Sequence, residues 1–242
     1  MPVVDVPVAD VCRDLLELLA GVSDGRSSQG RDHPVAVVLA LAAAATVAGM
    51  KGYTAIDGWV ADVPTAVLAD LHLRAGALPV GRPSRSTIWR ACTDADAEAL
   101  DTVIGMWLAN NLTAYIAAEQ AGGEGAGGPD CTASRLLQVR LDGKTVRGAK
   151  DADGDQLHLL AALASPADDP AAAVVVAQAE VTGAKTNEPE AARNLLQQID
   201  LNDMTVTAAA LHTVKATAEL IHQRAGHFVL PVKENRRAPA VA

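Results

Sequence analysis

The chain has 242 residues, enough for one large domain or two modest ones with a buried core, and half of them are hydrophobic. Aromatic residues make up only 2%, which excludes recognition of nucleic acid by a broad stacking platform. A formal net charge of −9 argues against a generic DNA-coating protein.

The charge is uneven. Residues 1–130 carry 8 Lys and Arg against 16 Asp and Glu, whereas residues 131–242 carry 12 against 13. The second part is therefore the more plausible neighbour of a phosphate backbone. Cys12, Cys92 and Cys131 are odd in number, widely spaced and form no CxxC pair, which points to a reduced, cytoplasmic compartment. Met1–Asp14 has acids and no apolar core, so no signal peptide is expected there. The apolar run from Val35 to Met50 is short, Ala-rich and flanked by charge, and predicts a buried helix rather than a membrane span.

In chain order, Val8–Ala20 has helical spacing through Val11, Leu15, Leu16 and Leu19. Ser23–Asp32 reads as a polar loop. Pro34 suits the first turn of an apolar helix over 35–48, and Gly49 and Gly52 punctuate its end. Further helices are predicted over Tyr53–Val63 and Pro64–Leu73. After the loop 76–84, Ser84 caps a helix to about Cys92. Thr93 with Asp96 resembles a capping box opening a long helix to about Glu119. Its core face is predicted as Leu100, Ile104, Trp107, Leu108, Leu112 and Tyr115.

AGGEGAGGPD, residues 121–130, reads as a flexible linker between an all-α module, 1–120, and a second domain, 131–242. Strands are predicted over 136–142, 156–165, 171–181, 204–210 and 227–233, with helices over 188–199 and 212–224. The composition of 156–165 also fits a helix. The order β-β-β-α-β-α-β is that of an RNase H-like sheet, giving an overall α+β/α/β chain. In that layout the first and fourth strands lie side by side, and their carboxyl ends meet where ligands gather in open α/β sheets.

The first of these strands carries VRLDGKTVRG, residues 139–148. It brings Asp142 to its end, then a Gly-Lys turn, then Arg147. An acid at a strand end with cations behind it suits a metal beside a phosphate. A turn-forming Asp before Gly143 is the plainer alternative.

LDGKTVRGA (141–149), AKTNEPEAARNLL (184–196), VTAAALHT (206–213) and HFVLPVKEN (227–235) occur in that order. Together they resemble the transposases of the IS4-type superfamily, specifically the ISAs1 group of H-repeat-associated proteins. HPVAVVLALAAAATVAGMKGYTAIDGWV (33–60) and RPSRSTIW (82–89) are similar to the domain that precedes the catalytic core there. The resemblance implies DNA transposition: strand cleavage and joining by a DDE triad holding two Mg²⁺ ions, with transposon-end DNA as partner. It implies no membrane and no small-molecule substrate. A homo-oligomer is a further possibility.

Carried over residue by residue, Asp142 matches the first catalytic acid. The family pattern VTADALHT reads VTAAALHT here, so Ala209 stands where the second acid belongs. Alanine has no oxygen to offer a metal. The third acid, a Glu on a later helix, has no candidate up to Ala242, and the domain is expected to be truncated and catalytically incomplete. Lys144, Arg147, Lys185 and Lys233 are candidate phosphate contacts, with solvated surface cations the alternative. Asn187-Glu188 matches the family's Asn-Glu pair, and Thr186 or Asn187 is expected to cap the helix that follows. His212 either faces the site or simply starts a helix. Lys233-Glu234-Asn235-Arg236 departs from the family's KGNQ. Residues 53–92 could form a helix-turn-helix variant with Arg85 and Arg90 on its recognition helix. A non-catalytic DNA-binding or subunit-binding regulator of an intact transposase is the alternative reading.

Overall fold

The structure is a computed structural model that describes residues 15–122, 137–150, 154, 156–181 and 187–232. The chain divides into two compact units, Met1–Trp107 and Leu108–Ala242. This division falls inside a helix, not at the Gly-rich segment 121–130, most of which lies outside the described residues.

The first unit is helical. Its elements are α1 (Leu15–Leu19), α2 (Val35–Val47), α3 (Tyr53–Ala61), α4 (Thr65–Arg74) and α5 (Arg85–Thr93). α2 is apolar all round because it is buried: Val37, Val38 and Ala45 have no exposure at all. Among the described residues no helix is long and apolar enough to cross a membrane. Leu19, Val60, Leu68 and Ile88 close the core around α2. Each such fully buried aliphatic contributes roughly 1.5–3 kcal/mol over its exposed state. Ser84 caps α5 as its sequence position predicts, accepting from the Thr87 N–H at 3.2 Å. Thr93 instead ends α5, and Asp96 alone opens the next helix, its Oδ1 accepting from the Glu98 and Ala99 N–H groups.

The polar loop before α2 is anchored rather than loose. Arg26, 2% exposed, donates to both oxygens of Asp24 at 2.9 and 2.8 Å and to the His33 carbonyl at 2.7 Å. The Arg26 hydrogen bonds hold the Asp24 carboxyl below its ordinary 3.8, against the opposing pull of burial. His33 and His72 meet at 3.1 Å, Nδ1 to Nε2, and the Leu68 carbonyl accepts from His72 Nδ1 at 2.7 Å. His72 Nε2 is then the bare nitrogen, and His33 Nδ1–H donates to it. Burial, then the neighbouring His72, lowers the His33 pKa below its ordinary 6.5. The folded state therefore binds fewer protons than the unfolded one. Stability from both groups is complete at neutral pH; the His33 part is lost as pH falls below about 6.5, the Asp24 part only in stronger acid. Thermal melts should show a midpoint that drops between pH 7.5 and 5.5, with a shallower drop in His33→Asn; parallel slopes would contradict this account.

α6 (Ala97–Gly122) runs past the division between the units. Its Leu112 and Ile116 join the core of the second unit. Tyr115, expected inward, is 41% exposed and donates its hydroxyl to Asp169 at 3.2 Å.

The second unit continues with β1 (Leu137–Lys150), β2 (Gln156–Pro166), β3 (Val174–Glu180), α7 (Glu188–Gln197), β4 (Thr205–Thr207), α8 (Lys215–Gln223) and β5 (His227–Val229). The mixed sheet has the order β3-β2-β1-β4-β5. β1 pairs antiparallel with β2 and parallel with β4, and β4 pairs parallel with β5. Val139, Leu160, Leu195, Leu196, Val206 and Ile221 form the buried core. Two expectations fail here. β1 does not stop at Asp142: Gly143 and Lys144 remain in the ladder opposite Leu160 and Leu159, so no Gly-Lys turn exists. The fourth strand is only three residues long, and His212 lies in a single 3₁₀ turn, Ala210–His212, ahead of α8 rather than at its start.

Candidate functional site

The site forms where β1 and β4 end side by side. The parallel register pairs Arg140 with Thr207. The same offset carried two residues further sets Asp142 level with Ala209, whose backbone is still extended at φ −65°, ψ 159°. Side chains alternate across a sheet, so residues 142 and 209 share one face. The Asp142 side chain is 51% exposed and lies 2.8 Å from Lys144 Nζ. Lys144 therefore points to Asp142 itself before any outside phosphate.

Gly143 points to the opposite face, where α7 packs. A Cβ at Gly143 would lie 2.8 Å from Glu188 Oε1 and 3.1 Å from His158 Nε2. Gly143 thus leaves room for the ends of the Glu188 and His158 side chains rather than making a turn. Glu188 opens α7, and its carboxylate sits between two imidazoles: His212 Nε2 at 3.2 Å from Oε1, and His158 Nε2 at 3.6 Å from Oε2. His158 Nδ1 reaches Thr145 Oγ1 at 3.3 Å. His212 is 1% exposed. His158 Nε2 and His212 Nδ1 are buried without a hydrogen-bond partner among the described residues. Asn187 takes the N-cap position of α7 without a capping side-chain hydrogen bond, and Thr186, the other expected cap, lies outside the described residues.

The structure thus separates what the motifs place together. Asp142 and position 209 lie on one face; Glu188 and His212 lie behind the other. Glu188 therefore does not share a face with Asp142. Among the described residues no group of three or more His, Cys, Asp or Glu could hold a metal ion. His158 escapes the sequence reading, because one histidine in the apolar alternation QLHLLAALAS gives no sign of its partners. Thr186, Lys185 and Lys233, with the segment Lys233–Arg236, lie outside the described residues, as does the side chain of Arg147.

In the first unit, Ile88 and Ala91 of α5 are buried while Arg85, Ser86, Trp89 and Arg90 face outward. A cavity of about 670 Å³ lined by Tyr53, Arg85 and Trp89 flanks this face. A polar one of about 320 Å³ flanks it too, lined by Arg82, Arg90, Ser86, Thr87 and Asp32. Arg85 and Arg90 are therefore both accessible, each beside a different one of these two cavities.

Residues 16–108 match the family described as DDE_Tnp_1-associated. A protein of Xanthobacter autotrophicus, named an uncharacterized protein in the dhlA 3′ region, is 28% identical over 223 residues, covering 88% of this chain. The chain spans 63% of that relative's length. A piggyBac transposase synaptic complex with hairpin DNA overlaps 95% of this chain and 51% of its own at 8% identity. Its TM-score of 0.39 is too low to bear on function.

Proposed function

We propose that this DDE transposase-related chain carries an RNase H-like DDE domain of the ISAs1 type whose second acid position is vacant, and that it engages DNA without cutting it. The observation that supports this best is the parallel register of β1 against β4, which pairs Arg140 with Thr207 and, extended by two residues, brings Ala209 level with Asp142. Two-metal phosphoryl transfer needs a carboxylate from each of these strand ends. The residues present do not fit Mg²⁺, which prefers several oxygen ligands. One carboxylate, ion-paired to Lys144, stands beside an alanine. No cleavage step is therefore assigned to this chain. Ala209 equally favours the second reading, a DNA-binding or subunit-binding regulator of an intact transposase.

Contact with DNA is assigned to α5, where Arg85 and Arg90 face outward in an otherwise acidic unit. Fluorescence anisotropy of a labelled duplex between 50 and 200 mM salt tests this. Each lost phosphate contact should lower the slope of log affinity against log salt by roughly 0.9, so Arg85→Ala/Arg90→Ala should lower it by roughly 2. An unchanged slope would remove α5 from the interface. No binding by the parent chain would leave only the subunit-binding reading.

A further inference from the structure

We infer that Glu188 is a positioning residue, gripped between His158 and His212 so that it holds position 209 beside Asp142 from behind the sheet. This rests on the proposed DDE reading of the two strand ends.

β4 is three residues long, and its last partner across β1 is Arg140, opposite Thr207. Beyond Thr207 the ladder supplies no further hydrogen bond to hold residues 208–213 against β1. Ala208 packs on the core and Thr213 donates its hydroxyl to the Pro231 carbonyl at 2.7 Å; between them, the buried contacts of His212 supply a further anchor. Glu188 Oε1 holds His212 Nε2 at 3.2 Å, three residues past position 209. Glu188 Oε2 faces His158 Nε2 at 3.6 Å, and His158 in turn reaches Thr145. The chain Thr145–His158–Glu188–His212 therefore joins β1, β2, α7 and the turn after β4. Gly143 leaves the space through which it passes. Glu188 Oε1 lies at hydrogen-bonding distance from His212 Nε2, while Oε2 meets His158 Nε2 only as a longer contact at 3.6 Å; an amide would offer one acceptor and one donor in their place. The Glu188 side chain is 12% exposed and His212 1%, so neither contact competes strongly with water.

The geometry can be read without metal or DNA. Residues level on adjacent strands are about 4.8 Å apart, within the roughly 4.4–6.8 Å that disulfides span. In the full chain with Cys12, Cys92 and Cys131 replaced by Ser, Asp142→Cys/Ala209→Cys should cross-link readily under mild oxidation. Glu188→Ala should slow this about ten-fold and Glu188→Gln about three-fold. A control pair within the β1–β4 ladder, Gln138→Cys/Thr205→Cys, should cross-link at an unchanged rate. A merely structural role would slow both pairs together. Equal rates for the 142–209 pair with Glu, Gln and Ala at 188, or parallel slowing of the control pair, would overturn the inference. If Glu188→Ala does not fold, Glu188→Gln decides by the same comparison. Should cross-linking depend on Glu188 while an acid restored at 209 binds no metal, the positioning role stands and the DDE reading falls.

Discussion

Ala209→Asp should bind Mn²⁺ at least ten-fold more tightly than the parent chain, and Asp142→Asn in the same background should abolish the gain. Extended two residues beyond the Arg140–Thr207 pair, the register brings the two side chains level and onto one face. Their Cα atoms are then about 4.8 Å apart, close enough for two carboxylates to share a divalent cation. Without metal the same pair repels, and like charges directly opposite each other cost on the order of 0.2–1 kcal/mol. The substitution should therefore lower stability slightly in chelator. It should raise it by about 2.7 kcal/mol when Mn²⁺ stands at 100 times its dissociation constant. Lys144 does not prevent this, since its side chain is 75% exposed and free to swing aside. Calorimetric titration reads the affinity, and melts with and without Mn²⁺ read the change of sign. Equal affinities in the parent and Ala209→Asp would mean that 142 and 209 do not face one another.

Gly25→Ala should cost about 3 kcal/mol, at the upper end for added volume in a packed site. A Cβ at Gly25 would collide with the Asp94 carbonyl oxygen and lie 3.0 Å from its carbon. Both are backbone atoms at the C-cap of α5, so no side chain can rotate away. Nor can the loop retreat easily, because Arg26 fastens it to Asp24 and to the His33 carbonyl. Either the loop or the end of α5 must move. The melting midpoint of the first unit should fall by roughly 10 °C or more. A loss under about 0.5 kcal/mol would show that the loop yields without resistance.

Local signals proved legible where local physics decides. The unbroken apolar run 35–47 forms a buried helix, and Ser84 with the Thr87 N–H makes the cap that its position suggests. What escaped depends on partners distant in sequence. Asp142-Gly143 reads as a turn because the dipeptide is common in turns. In the sheet that glycine is extended, and its missing side chain makes room for Glu188 and His158. Tyr115 fits the apolar face of its helix by spacing, yet Ile116 takes the buried place and Tyr115 turns its hydroxyl to Asp169. The Gly-rich segment 121–130 draws attention as a boundary. The division by contacts falls earlier, because Leu112 and Ile116 belong to the core of the sheet unit. At the candidate site, motif order named Asp142 and position 209, and both lie two residues past the Arg140–Thr207 pair that ends the β1–β4 ladder. The separation of Glu188 and His212 onto the opposite face was not legible, since it follows from strand alternation and from His158, which no motif marks.

The most direct test of the central claim is Mn²⁺- and Mg²⁺-dependent nicking of supercoiled plasmid by the purified parent chain. The vacant position at 209 predicts no nicking above a metal-free control, with or without duplex ends present. Metal-dependent nicking by the parent chain, abolished by Asp142→Asn, would contradict it.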